Sequence, residues 1–345
     1  MARPTRRYGP RRPGVLRDAA EFGEAAYLVD ANNYIFRAFH GIPPFTTAAG
    51  RPTNATYGFI RTLLMLVRER RPTWAAAVFD GGVSFRNELL PSYKQNRVEP
   101  PSELALQFAD CRRAAQAIGF ACLEAAGYEA DDLMGTLAIR LRDQGNRVVL
   151  VSGDKDLAQL VGEGITLYDV ARDEEFSVEK VVERFGVRPQ QIPDLLALAG
   201  DAIDNIPGIH GIGEKTAVVL LKAFGSLDAI LDRPERIESL ALRNARGIKE
   251  KIVAARDAAR LARELASIAR DVPYHLDLEA LRYRGAHRDQ VESLFTELHF
   301  GDRIRGEIPS WADEQGPLFA GMEDEVEEEE SEPGPSESGP QKSLF

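Results

Sequence analysis

Acidic residues in this 345-residue chain stand at the ends of apolar runs. Tyr27-Leu28-Val29 leads into Asp30, and the run from Ala75 to Phe79 leads into Asp80. Val148 to Val151 leads through Ser152-Gly153 into Asp154, with Asp156 two residues on. Short continuous apolar runs read as buried strands, and ligands of open α/β sheets gather outside the carboxyl ends of the strands. Three strands therefore deliver at least four carboxylates to one sheet edge. Such a cluster is costly unless cations occupy it, and oxygen-only ligands suit Mg²⁺ or Mn²⁺.

Further acids follow in groups. Glu129-Ala130-Asp131-Asp132 precedes an apolar helical stretch (Leu133, Leu137, Leu141), where acids also serve as ordinary caps. Gly153-Asp154-Lys155-Asp156 and Gly200-Asp201-Ala202-Ile203-Asp204-Asn205 each read singly as turns. Beside Asp30 and Asp80 they acquire a joint meaning. Two metals roughly 3.5–4 Å apart clamp the attacking and leaving oxygens of an in-line phosphoryl displacement and lower the pKa of bound water. A covalent route is less attractive, because no Ser/His/Asp or Cys/His arrangement is evident. There is no GxxxxGK[ST] loop, and Gly211-Ile212-Gly213 does not follow a strand, which argues against nucleotide-binding fingerprints.

The elements that must position these acids follow from patterning. Residues 25–198 alternate strand-like and helix-like segments, which predicts an α/β unit with a mostly parallel sheet. The spacing of Leu104, Phe108, Cys111, Ala115 and Ile118 predicts a helix over Glu103–Ile118 ending at Gly119. Between the second strand and that helix lies a long polar, basic insertion, 81–101, with Arg86, Tyr93, Lys94 and Arg97. Long ordered loops of this kind are usually functional. Residues 199–305 read as helical, and the turn Gly208–Gly213 joins two helical stretches, a geometry suited to a phosphate.

Residues 1–24 form a basic Arg/Pro/Gly arm, read equally as an incidental leader or a DNA-binding arm. Residues 306–345 form an acidic, Pro/Gly/Ser-rich tail that carries the whole net charge of −11; residues 1–305 sum to zero. Outside the acidic cluster the body therefore holds a positive surplus, compatible with nucleic acid. No apolar stretch is long enough for a membrane span, and the N-terminus lacks a secretory h-region. Cys111 and Cys122 lack metal-ligand spacing and read as small buried residues in a reducing cytoplasm.

Taken in order, these motifs resemble the 5′-nuclease (flap endonuclease) family, most closely the N-terminal 5′→3′ exonuclease domain of bacterial DNA polymerase I. The matching stretches are Val29-Asp30-Ala31-Asn32, Val78-Phe79-Asp80, Phe85 to Leu89 with Tyr93-Lys94, Glu129 to Asp132, Gly153 to Asp156, and Gly200 to Ala217, the last including Lys215 and Thr216. They span roughly residues 27–300. The resemblance implies a PIN-like mostly parallel sheet with helices on both faces, a helical arch (about 81–119) and a helix-hairpin-helix module that grips duplex DNA, often with a K⁺ ion. No polymerase domain follows, so the chain resembles a free-standing version.

Carried over by position, one metal uses Asp30, Asp80, Glu129 and Asp131. The other uses Asp154, Asp156 and Asp201 or Asp204, with Asp132 nearby. Lys94 and Arg86 are expected to meet the scissile phosphate, helped by Arg97. Tyr93 either stacks on an unpaired base or packs within the arch. Gly208, Gly211, Gly213, Lys215 and Thr216 are expected at the duplex backbone. The implied activity is a Mg²⁺-dependent 5′→3′ exonuclease and 5′-flap endonuclease on DNA with flaps, nicks or RNA primers, acting as a cytoplasmic monomer. A PIN-type ribonuclease and a non-catalytic clamp-tethered scaffold are the rivals. In the tail, Gln315-Gly316-Pro317-Leu318-Phe319 and Gln341-Lys342-Ser343-Leu344-Phe345 both resemble the QxxLF peptide that docks on the bacterial sliding clamp. Their Leu-Phe anchors suit an apolar pocket, and a spaced pair raises effective concentration.

Overall fold

The computed structural model describes residues 25–308 except Val98. The arm over 1–24 and the tail pentads, with Gln315, Leu318, Phe319, Gln341, Leu344 and Phe345, lie outside the described residues.

The three acid-ending runs form β1 (Ala25–Asp30), β2 (Trp74–Val78) and β4 (Arg147–Val151). With β3 (Ala121–Leu123), β5 (Ile165–Asp169) and β6 (Glu174–Phe176) they make one sheet in the order β3-β2-β1-β4-β5-β6. All neighbours are parallel except β5 and β6. β1 is central, pairing Asp30 with Val78 on one side and Val29 with Val151 on the other. The strand order reverses direction between β1 and β4, a topological switch point that opens a crevice at the carboxyl ends. Asp30 and Asp154 border it directly. β2 is a run of alanines, weak strand formers by themselves; burial on both faces decides its conformation.

Strand side chains alternate between two cores. Tyr27, Val29, Ala75, Ala77, Val149 and Val151 face one layer. That layer holds α1 (Ala31–Gly41), α2 (Asn54–Arg70), α4 (Ser102–Ile118) and α12 (Arg288–Glu297). Ala26, Leu28, Ala76, Val78, Val148 and Leu150 face the other. There lie α5 (Ala130–Asp143), α7 (Ile192–Ala199), α8 (Glu214–Phe224), α9 (Leu227–Asp232), α10 (Ala245–Ala254) and α11 (Arg256–Ala266). The helical region expected over 199–305 is thus divided. Its first part shares a continuous core with one sheet face, and α12 with the short α13 (Asp302–Arg305) returns to the other. A short α6 (Val178–Phe185) follows β6.

Helix α4 begins one residue before the expected start and ends at Gly119, where φ is +98°. Its stripe is buried as the spacing predicts, Phe108 only in part, with polar additions at Gln107 and Asp110. Gln107, wholly buried, accepts from the amides of Ala55 (2.8 Å) and Thr56 (3.1 Å) in the first turn of α2. It thereby satisfies two of the donors every helix start leaves open.

The arch expected over about 81–119 likewise divides. α4 belongs to the helical layer. Residues 81–97 carry only α3 (Arg86–Leu89) and a series of turns, and fold down over the acidic edge. Gly81 fastens the start of this segment: its amide donates to Tyr128 O (2.9 Å), and its carbonyl accepts from Gly127 (3.3 Å). A Cβ at Gly81 would stand 1.7 Å from Ala125 O. Gly81→Ala is therefore expected to cost at least the ~1–3 kcal/mol of ordinary overpacking, because backbone rather than a flexible side chain must yield. Urea denaturation measures this; an unchanged midpoint would show that the approach is not needed.

Candidate metal centre

Asp30 is the last residue of β1 and the cap of α1. Its Oδ1 accepts the Asn33 amide (3.0 Å), and its Oδ2 accepts the Ser152 hydroxyl (2.8 Å). Ser152 then accepts the Asp154 amide (3.0 Å), tying two acid-bearing strand ends through one buried hydroxyl. On the other side, Asn32 donates to Asp80 Oδ2 (2.7 Å), and Asp80 Oδ1 accepts the Ala130 amide at the start of α5 (2.9 Å). Asn33 Oδ1 accepts from Gly153 (3.1 Å). Ser152 and Asn33 were not singled out from the sequence; their polarity beside a strand-end aspartate was the available signal.

Ligand atoms of Glu129, Asp131 and Asp132 lie within 4.8 Å of one another. The three differ in use. Asp132 is saturated: Arg86 Nη1 and Nη2 each donate to it at 2.7 Å, and it accepts the amides of Glu129 (3.2 Å) and Ala269 (2.8 Å). Both Arg86 and Asp132 are buried, at 1 % and 0 % exposure. One expectation is corrected here: Arg86 is turned inward instead of toward a phosphate. Asp132 stays beside Glu129 and Asp131, with both its oxygens engaged in these bonds. Removing one partner of such a pair typically costs 3–5 kcal/mol, so the motif reflects positioning. Tyr93 is also corrected from the stacking role. It is buried, and its hydroxyl donates to Glu129 Oε2 (3.1 Å).

Lys94 and Arg97 do reach the edge. Lys94 Nζ lies 2.5 Å from Glu129 Oε1 and 3.8 Å from Asp204 Oδ2. Its backbone amide donates to Asp204 O (3.0 Å). Arg97 donates to Asp204 Oδ1 at 2.5 and 3.2 Å. Burial opposes the charge on Lys94, yet Glu129, Asp204 and Asp131 hold its pKa above the usual value.

Asp154 and Asp156 share the turn after β4, with the Asp156 amide donating to Asp154 Oδ1 (2.9 Å). Asp201 and Asp204 come from the loop after α7, closed by the Asp201–Ile206 bridge. Asp201 Oδ1 accepts the Ile203 amide (2.8 Å) and Oδ2 takes Lys155 Nζ (2.7 Å). Burial pushes Asp201 up, but these donors outweigh it and hold its pKa below the usual range.

Four other acids behave oppositely. Burial first, then repulsion from Asp80 and Asp154, raises Asp30 to about 7. Burial, then Asp154, raises Asp156 to about 7. Burial, then Asp132 and Glu129, raises Asp131 well above the carboxylate range. Burial, with Glu129, also raises Asp80. Asp131 Oδ1 and Asp156 Oδ1 are buried and accept no hydrogen bond. Orphaned carboxylate oxygens in an all-oxygen donor set fit hard divalent cations. Neither cysteine joins the site; burial pushes both thiols up to about 12.

The same loop continues into the glycine turn. Gly208 is spent on packing: a Cβ there would stand 2.4 Å from Gly200 N and Ala199 C. Gly211 has φ +79°, and Gly213 caps α8 with open space around its Cα. Lys215 is exposed and Thr216 half-buried in the first turn of α8. The turn thus joins α7 to α8 as a helical hairpin whose first half carries Asp201 and Asp204.

Two family models match the chain in succession. The 5′-3′ exonuclease N-terminal resolvase-like domain matches residues 25–186, and the 5′-3′ exonuclease C-terminal SAM fold matches residues 187–289. A 5′-3′ exonuclease of Aquifex aeolicus is 36% identical over 280 residues, covering 81% of this chain and 93% of that protein. DNA polymerase I of Rhizobium leguminosarum is 42% identical over 268 residues, 75% of this chain but 26% of the polymerase. The chain therefore spans only about a quarter of that relative. In fold it is similar to the T5 5′-exonuclease solved with divalent zinc ions (TM-score 0.59, 22% identity, 80% of this chain and 98% of that one). It is likewise similar to the catalytic core of Rad2 in complex with DNA substrate (TM-score 0.58, 17% identity, 85% and 93%).

The raised carboxylates set a pH test. Asp30 and Asp156 titrate at about 7 when folded and near 3.9 when unfolded. The folded state therefore binds their protons more tightly. Their contribution to stability is full below the unfolded value and is lost as pH rises through the folded one. EDTA-treated protein should lose melting temperature from these groups between about pH 5 and about pH 8. Millimolar Mg²⁺, which competes with those protons, should raise the melting temperature more at the upper pH. A Mg²⁺ shift that is absent, or larger in acid, would contradict the assignment.

Proposed function

Because the chain belongs to the 5′-3′ exonuclease family, we infer that it is a Mg²⁺-dependent 5′→3′ exonuclease and 5′-flap endonuclease. It hydrolyses phosphodiester bonds of DNA, and of RNA primers, in replication and repair. The observation that carries the chemistry is the pair of orphaned buried oxygens, Asp131 Oδ1 and Asp156 Oδ1, one in each acid group. Asp30, Asp80, Glu129 and Asp131 hold one Mg²⁺; Asp154 and Asp156, with Asp201 or Asp204, hold the second, and Mn²⁺ substitutes. When bound, the two cations supply an activated water and charge for the attacking and leaving oxygens.

The chain's own residues do the rest. Asn32, Asn33 and Ser152 hold Asp30 and Asp80 in place through the hydrogen bonds described above. Lys94 and Arg97 carry positive charge at the rim of the cluster, where a phosphodiester approaches. The hairpin supports duplex binding through Gly211, Gly213, Lys215 and Thr216, and a K⁺ ion held by backbone carbonyls there belongs to the same reading. Asp201 and Asp204 lie in the same loop, so duplex position and metal position are set together. The protein works as a cytoplasmic monomer on this reading, and among the described residues no helix is long and apolar enough to cross a membrane.

A labelled 5′-flap duplex and a single-stranded RNA, each with Mg²⁺ or EDTA, test the activity. Flap cleavage should require Mg²⁺, and Asp154→Asn should lower kcat by at least about 10²-fold, the scale of losing a central electrostatic group. Cleavage of the RNA alone would favour a PIN-type ribonuclease; no cleavage of either would favour a binding scaffold.

The tail pentads add a partner, the bacterial sliding clamp, with Gln315, Leu318, Phe319, Gln341, Leu344 and Phe345 as anchors. Deleting 341–345 and replacing Leu318-Phe319 by alanines should abolish clamp binding, each change alone weakening it by roughly 10²-fold through lost avidity. Binding that survives both changes would remove the clamp from this reading.

A further inference from the structure

The backbone leaving α11 passes between the two acid-bearing turns and is gripped from both sides. From the Glu129–Asp132 side, Arg86 Nε donates to Leu265 O (2.9 Å) and Nη2 to Ser267 O (2.7 Å). Asp132 Oδ1 accepts the Ala269 amide (2.8 Å), and Arg86 also reaches Glu129 Oε2 (3.4 Å). From the Asp154–Asp156 side, Gln159 Nε2 donates to Ala266 O (3.0 Å) and Oε1 accepts the Ile268 amide (3.0 Å). Gln159 sits in the 3₁₀ turn Asp156–Leu160 and is 2 % exposed. Every residue from Leu265 to Ala269 thus has a backbone group bonded to a side chain, and the side chains come alternately from the two groups.

Buried backbone outside a ladder must find partners somewhere. Here the partners are residues that carry, or directly brace, the acids. Both groups are acidic, and the apolar contact between them at Gly135, Leu160 and Ile268 is non-directional. Directional hydrogen bonds are what fix a register.

We propose that the Leu265–Ala269 strap is a spacer that sets the distance between the two acid groups, with Gln159 as its positioning residue. The proposal rests on the two-metal reading above. Gln159 touches no substrate; it holds the Asp154–Asp156 turn against a strap whose other edge is held by Arg86 and Asp132. Loosening it changes how the second Mg²⁺ is held while leaving the first group intact.

Calorimetry with Mg²⁺ alone, on the full chain, tests this. Wild type should bind two Mg²⁺; binding of none would sink the metal reading itself. Gln159→Leu, which keeps the volume and removes both bonds, should retain one site and weaken the other by about 10–100-fold, the usual effect of losing a group that orients a ligand. Its kcat on a flap duplex should fall by a similar factor with KM for the duplex unchanged. Arg140→Leu is the control. Arg140 Nη2 donates to Val272 O (3.1 Å) further along the same backbone, so its loss should lower the melting temperature without altering either Mg²⁺ affinity. Should Gln159→Leu not fold, Gln159→Glu, which keeps the Ile268 acceptor and loses the donor to Ala266, is read the same way. Two wild-type affinities in the Gln159 variant would overturn the spacer. So would an equal loss of affinity in Arg140→Leu, because the effect would then be general loosening.

Discussion

The molecule is organised around a repulsion. Carboxylates from five segments crowd one edge of the sheet, and burial disfavours the ionised forms of Asp30, Asp80, Asp131 and Asp156 before any neighbour is counted. The chain answers with two kinds of compensation. The Arg86–Asp132 pair is fully buried and fully bonded, so breaking it costs several kcal/mol. The Arg97–Asp204 and Lys155–Asp201 pairs have cations that are 46% exposed, where an ion pair contributes about 0–1 kcal/mol. That difference separates roles: the buried pair holds geometry, while the exposed pairs add little to it.

Topology explains why the repulsion is concentrated. Parallel strands bring all their carboxyl ends to one edge, and the reversal between β1 and β4 opens that edge as a crevice. Asp30 lies on the central strand and therefore between the others. The helical module is not appended to this arrangement. Its α7–α8 hairpin supplies Asp201 and Asp204, and its α11 feeds the backbone that Arg86, Asp132 and Gln159 grip. One continuous core beneath the sheet makes the α/β unit and the hairpin a single mechanical piece.

Motif matching and physical role diverge at three positions. Arg86, Tyr93 and Asp132 lie in stretches that resemble a nuclease family, and the resemblance invites contact with metal or substrate. In the fold all three face inward, onto one another's neighbours: Tyr93 on Glu129, Arg86 on Asp132, Asp132 on the backbone of Ala269. A motif preserves whatever the site needs, and bracing the acids is as much a need as touching the phosphate.

The three acid-ending strands and the helix expected over 103–118 were legible in the sequence because they rest on local rules. Apolar runs bury themselves, a 3.6-residue stripe seeks a core, and acids at strand ends have nowhere else to gather. Three features were not legible: the inward turn of Arg86, the bridging hydroxyl of Ser152, and the backbone strap held by Gln159. Each pairs residues far apart along the chain, such as Gln159 with Ala266 and Arg86 with Leu265. Only closure of the fold determines which donor meets which acceptor, since a hydrogen bond depends on direction and distance that residue type does not encode. The sequence by itself determined that cations and carboxylates would meet at a sheet edge. Tertiary structure decided which of them are spent on one another and which, such as Asp131 and Asp156, keep a buried oxygen without a partner.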